Sequence, residues 1–238
     1  MNWSWQAVLR ERGVAWVETA SPAAQAQGLA ETVAAALSDA LASRGEARMA
    51  LSGGRSPIPF LQALACHVLD WEQVKLTLVD ERWVSSDQPE SNERLLRCHL
   101  QPVFDRLHWQ PLYQGVSPAQ DAATAGAALL EWQPLDVVVL GMGLDGHTAS
   151  LFPGQPHVSQ WLQPDAGALC AATLAADASP RLTLTGRALH SVRRQLLAIS
   201  GEQKLQVLIG ALERAPADCP IAAFLHAPLE IHYCPDQA

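Results

Sequence analysis

Lysine is almost missing from this chain. Of its 16 basic residues, only Lys75 and Lys204 are lysines, and 24 acidic residues leave a net charge of −8. That balance excludes the broad basic footprint selected by nucleic acid or an anionic membrane. A small anionic ligand stays open, provided its site gathers positive charge locally. Paired cysteines are missing too. Cys66, Cys98, Cys170, Cys219 and Cys234 are scattered without a C-x-x-C pair. This argues against a disulfide framework or a zinc site and for reduced thiols in a cytoplasmic protein. No apolar run approaches the roughly 20 residues of a membrane span. The opening MNWSWQAVLRERG meets charge too early for a secretory signal. Internal repeats and low-complexity tails are lacking.

Several catalytic signatures are also missing. There is no G-x-S-x-G elbow, no G-x-x-x-x-G-K-[ST] loop and no H-E-x-x-H pair. Apart from His147, the histidines show no metal-ligand spacing, so the simplest expectation is a site with no metal and no cofactor. Oligomeric state is not legible in the residues.

What is present is an alternation of elements. With 238 residues and 49% apolar side chains, one domain over 1–238 with a sizeable core is expected. Trp16-Val17 suggests an opening strand. An alanine-rich stretch after Ser21-Pro22 carries Leu29, Val33, Leu37 and Leu41 at four-residue spacing, which predicts a helix to Arg44. Strands are predicted at 47–52, 74–80, 136–140, 194–200 and 229–234. Segments 169–174 and 181–185 suggest a local antiparallel excursion. Helices are predicted over 57–65, 91–100 and 118–132, with another around Leu205 to Leu212. The pattern argues for an α/β fold with a mostly parallel sheet covered on both faces.

Such sheets bind ligands beyond the carboxyl ends of their strands. Four unusual turns fall at these ends: Ser52 to Ser56, Asp80-Glu81-Arg82, Gly141 to His147, and Ser200 to Lys204. Parallel strands would open all four on one edge.

Gly141-x-Gly143-x-x-Gly146 has dinucleotide-loop spacing, and Asp165 sits where a ribose contact would be wanted. The flanks argue against that reading. Pro153, Gly154 and Pro156 leave room only for a short helix, roughly 147–152, where a dinucleotide site needs a long one. The glycines more plausibly serve to present Asp145 beside His147, a pair suited to acid–base work. An N-capping aspartate beside a surface histidine is the plain alternative. LSGGRSP (51–57) can aim successive amides of Gly53 and Gly54 at an anion, with Ser56 capping the next helix and Pro57 at its first position. From this motif alone, a simple tight turn plus N-cap is the favoured reading. Lys204 opposes the dipole of the helix it begins, which suits an anion site or merely a solvated lysine. Arg181 is a third candidate cation. Asp80-Glu81-Arg82 reads as acid–base machinery or as an ion-pair cluster. Ser91 reads as an N-cap with Asn92 at the helix start.

Together LSGGRSP, VDERWV (79–84), SNERLLR (91–97), LGMGLDGHTASLFPG (140–154), PRLTLT (180–185) and SGEQK (200–204) resemble the glucosamine-6-phosphate isomerase/6-phosphogluconolactonase family, in the same order over nearly the whole chain. The resemblance implies a three-layer α/β/α fold. It also implies cofactor-free hydrolysis of 6-phospho-D-glucono-1,5-lactone to 6-phosphogluconate in the oxidative pentose phosphate pathway. By position, it assigns water activation to His147 with Asp145 beside it, and a contact with the lactone region to Arg82. Gly53, Gly54, Ser56, Arg181 and Lys204 match the phosphate neighbourhood. Arg55 stands where many relatives carry a small hydroxyl residue. Asp80 and Asn92 complete the candidate substrate-binding set. The deaminase branch resembles D-E-Y at 80–82 and carries a glutamate shortly after the histidine motif; here Arg82 and Ser150-Leu151-Phe152-Pro153 differ from both. A phosphosugar sensor would normally carry a DNA-binding module, for which there is neither room nor basic charge.

Overall fold

The computed structural model describes residues 4–236. Ten strands occur in chain order: β1 (Ala15–Glu18), β2 (Ala47–Leu51), β3 (Val74–Leu78), β4 (Asp80–Arg82), β5 (His108–Gln110), β6 (Leu135–Leu140), β7 (Cys170–Leu174), β8 (Pro180–Leu184), β9 (Val192–Ser200) and β10 (Leu229–Cys234). Seven of them form one sheet in the order β1-β10-β9-β6-β2-β3-β5, and every neighbouring pair is parallel. From β2 the chain winds outward through β3 to β5. It then returns to β6 and winds the other way through β9 to β10. Right-handed crossovers therefore place helices Pro22–Arg44 and Ile58–Ala65 on one face and Glu202–Ala211 on the other. The reversal between β2 and β6 leaves a crevice at their carboxyl ends, where doubly wound sheets bind ligands.

The helix over Pro22–Arg44 forms as its sequence predicts. Ser21 accepts the Ala24 amide at 3.1 Å, Pro22 opens the first turn, and Gly45 closes the helix at φ 75°. Leu29, Val33 and Leu37 are buried against the sheet. Burial of each contributes about 1.5–3 kcal/mol, more than helix propensity adds per residue. All six residues of β6 are buried, as a strand covered on both faces requires.

Some elements differ from expectation. Segment 74–80 is not one strand: the Val79 amide donates to Leu51 O, while its carbonyl accepts from the Leu184 amide. Val79 thus switches sheets, and Asp80-Glu81-Arg82 becomes strand β4 rather than a turn. β4 joins the predicted antiparallel excursion in a second sheet, β4-β8-β7. The edge strand β5 and the helix Trp5–Glu11 lack any signal read above. No helix forms over 147–152; Ala149 adopts φ 52°, and a Thr148–Leu151 bridge turns the chain instead. Ser56 does not cap the next helix. A turn closed by Ile58 N–H to Arg55 O puts Pro57 at the N-cap, and Ser56 faces the crevice.

Candidate active site

The crevice is a cavity of about 530 Å³. The four carboxyl-end segments converge there. Gly53, Gly54, Arg55, Ser56, Asp80, Arg82, Asn92, His147 and Lys204 all line it. Two of the predicted site residues do not. Asp145 sits behind His147, and Arg181 lies across from Arg82 in the β4–β8 ladder.

The Gly141–His147 turn is shaped around one imidazole. The Gly143 amide donates to His147 O at 2.9 Å, and the Gly146 amide to Gly143 O at 3.1 Å. A Cβ on Gly143 would stand 2.2 Å from His147 Cε1, so only glycine leaves room for the ring. Asp145 Oδ1 lies 2.6 Å from His147 Nδ1 and also accepts the His147 amide at 3.1 Å. This arrangement favours the tautomer with its proton on Nδ1 and leaves the lone pair on Nε2. Phe152 packs on the ring at a centroid distance of 4.7 Å. The pair has the arrangement a general base needs: an imidazole oriented through Nδ1, with no partner on Nε2 among the described residues.

Another part of the cavity lining suits an anion. Among the described residues, no acceptor pairs with the amides of Gly53, Gly54, Arg55 or Ser56. Gly54 has φ 94°, which lets successive N–H groups turn toward one point. Lys204, in the first turn of helix Glu202–Ala211, is half-buried. It has no hydrogen-bond or ion-pair partner among the described residues, and burial lowers its pKa below the ordinary lysine value. An ammonium in this setting is stabilised by an incoming anion. The helix N-terminus itself is taken, because Asp236 accepts the Glu202 amide at 2.9 Å.

The Asp80-Glu81-Arg82 cluster divides its labour. Glu81 is buried and turned away. Its carboxylate accepts the amides of Arg82, Asn92 and Glu93 and the Ser91 hydroxyl, at 2.7–3.0 Å. Burial still pushes its pKa up against those donors. It therefore anchors helix Asn92–His99, which Ser91 caps as expected. Asp80 faces the cavity and accepts the Ser150 hydroxyl at 2.6 Å. Asn92 donates to Asp80 O at 2.9 Å and fills the space where a Gly53 Cβ would be. One amide thus joins the glycine cradle to the arm carrying Arg82. The Arg82 guanidinium also donates to Glu90 O. Arg181 has its pKa lowered by burial and by Arg82, against Asp80, Asp177 and Glu81.

Sequence reasoning missed four polar residues here. Gln25, Ser52 and Ser200 line the cavity, and the hydroxyl of buried Ser150 donates to Asp80. Gln25 had a readable signal: it stands four residues before Leu29, on the helix's buried stripe, where a polar side chain needs partners. Among the described residues, no three His, Cys, Asp or Glu side chains are placed to share a metal ion, and no helix is long and apolar enough to cross a membrane.

Amides without a protein acceptor and an oriented histidine–aspartate pair, sharing one cavity at the switch point of a doubly wound sheet, suit a small anionic ligand. The chain belongs to the family described as glucosamine-6-phosphate isomerases/6-phosphogluconolactonase, whose model matches residues 20–232. It is 43% identical to the 6-phosphogluconolactonase of Pseudomonas aeruginosa over 220 residues, covering 90% of this chain and 92% of that protein. It is 42% identical to the Pseudomonas putida 6-phosphogluconolactonase over 222 residues, covering 92% of each. The crystal structure of a 6-phosphogluconolactonase from Shewanella baltica superimposes with a TM-score of 0.88 at 36% identity, covering 94% of this chain and 98% of that one.

Proposed function

We propose that this chain hydrolyses 6-phospho-D-glucono-1,5-lactone to 6-phosphogluconate, the lactonase step of the oxidative pentose phosphate pathway, with His147 as general base. The observation that carries the reading is the shared cavity. It is lined by His147, held 2.6 Å from Asp145, and by Gly53–Ser56 and Lys204, whose amides and ammonium meet no protein partner among the described residues. The lactonase relatives, at 42–43% identity, support the same substrate. The cytoplasm is the compartment that fits this substrate and the unpaired cysteines.

The phosphate docks on the Gly53–Ser56 amides and Lys204. That remote binding fixes the lactone with C1 toward His147 Nε2. A water proton passes to Nε2 as the water oxygen attacks C1. The C1–O5 bond then breaks, and the imidazolium returns the proton to the departing ring oxygen. Asp145 stabilises the imidazolium between these two transfers. Arg82 is placed on the cavity wall to meet negative charge on the lactone oxygen. The new carboxylic acid ionises in neutral solution, so turnover releases acid. Arg55 and Ser56 add a cation and a hydroxyl beside the phosphate, and Arg181 adds charge from across the β4–β8 ladder.

The test offers the purified protein two substrates. Acid release from fresh 6-phosphogluconolactone, above its spontaneous opening, is expected. Ammonia release from glucosamine 6-phosphate, with no acid release from the lactone, would place the chain in the deaminase branch instead.

A further inference from the structure

Gln25 is a buried polar side chain in the wall of the cavity, and the reaction above gives it no role. Its Nε2 donates to Ile199 O and to His232 O, both at 2.8 Å, and its Oε1 accepts from Ser200 Oγ at 2.9 Å. Two carbonyls fix which end of the amide is nitrogen, so the Ser200 hydroxyl must be the donor. Every bond runs to the carboxyl end of β9 or β10. Ser200 is the last residue of β9, and Gly201 follows at φ 86° to start the helix that carries Lys204. The Gly201 amide donates to Cys234 O at 2.9 Å, so β10 fixes the same bend from its other side. Gln25 therefore clamps two strand ends to the first turn of helix Pro22–Arg44, at the point from which Lys204 departs.

We propose that Gln25 is a positioning residue for phosphate recognition: it sets the Ser200–Gly201 bend and thereby the place of the Lys204 ammonium. Both N–H groups of its amide are taken, so Gln25 has no donor left for a phosphate and acts through the backbone it holds. Lys204 has no partner of its own among the described residues, so its placement depends on the backbone beneath it. The proposal rests on the phosphate site assigned above.

Gln25→Met keeps the length of the side chain and removes all three bonds. Steady-state kinetics with the phosphorylated lactone, with inorganic phosphate as competing inhibitor, give the readout. KM and the phosphate inhibition constant are expected to rise about 10-fold, with kcat unchanged within about twofold. In a Lys204→Met background the same substitution is expected to change the inhibition constant less than about twofold, because its effect travels through that ammonium. An equal rise in both backgrounds, or a fall in kcat with an unchanged inhibition constant, overturns the proposal. Should Gln25→Met not fold, Ser200→Ala removes one of the three bonds; it is expected to raise the inhibition constant by a smaller factor, and no change there overturns the proposal. The phosphate site is judged separately. If Lys204→Met leaves phosphate inhibition intact, that reading fails; if Lys204→Met weakens it and Gln25→Met does not, only the present inference fails.

Discussion

The two edges of the main sheet spend their polar groups in opposite ways. At the amino edge, buried Asp136 receives the Arg44 guanidinium, the Arg48 amide at 2.9 Å and Arg193 Nε at 3.4 Å. Lys75 and Arg48 share Glu46 nearby. At the carboxyl edge, Lys204 and the Gly53–Ser56 amides meet no protein partner among the described residues. Buried polar groups normally find partners, because an unmet donor costs free energy. The amino edge is thus built for folding. The carboxyl edge leaves its donors half-buried or exposed, within reach of solvent and of a ligand. Glu81 shows that position alone does not decide: it lies beside the cavity, yet four donors make it part of the scaffold.

Substitutions at each edge should therefore separate activity from stability. The largest effect is expected from His147→Ala, with kcat for lactone hydrolysis falling about 10²- to 10⁴-fold. Inhibition by inorganic phosphate should hardly change, which a competitive assay against the residual activity can measure. Asp136→Ala should do the reverse. Leaving Arg44 and the Arg48 amide without their buried acceptor is expected to cost about 3–5 kcal/mol in denaturant unfolding. The kcat of the molecules that remain folded should match the parent. A kcat that falls in step with stability would erase the distinction between the edges.

Glu81→Gln is expected to cost about 1–3 kcal/mol, because an NH₂ group would face an amide that now donates to a carboxylate. Chemical denaturation measures the loss, while the phosphate inhibition constant should stay near the parent value. The smallest effect is a gain. Burial holds the Lys204 pKa below 10.5, so the folded chain takes up its proton less readily than the unfolded one. That penalty is absent well above pH 10.5 and fully present once pH falls below the lowered value. Lys204→Met should therefore slightly raise the melting temperature at neutral pH, with the difference closing in strong alkali. Added phosphate should stabilise the parent more than the variant. A variant that melts lower, or gains as much from phosphate, would contradict the picture of a strained, ligand-facing cation.

The sequence carried more of the carboxyl edge than of its supports. Gly53, Gly54, His147 and Lys204 were legible because glycines, an Asp-Gly-His turn and a rare lysine are conspicuous at strand ends. The parallel sheet followed from the alternation of apolar strands and amphipathic stretches. The exchange of sheets at Val79 was not legible. Segment 74–80 reads as one unbroken extended run, and the switch depends on bonds to Leu51 and Leu184, remote in sequence. The role of Glu81 was hidden for the same reason, since three of its four partners lie ten or more residues downstream. Ser56 was assigned as a cap by its place before Pro57; a turn closed at Arg55 redirected it to the cavity. β5 has only three residues, too few for a periodic signal.

The most direct measurement is a crystal structure of the chain with 6-phosphogluconate, the reaction product. The phosphate is expected within hydrogen-bond reach of the Gly53–Ser56 amides and Lys204 Nζ, with the C1 carboxylate facing His147 Nε2. A phosphate bound outside that cradle, or a C1 carboxylate turned away from His147, would contradict the account.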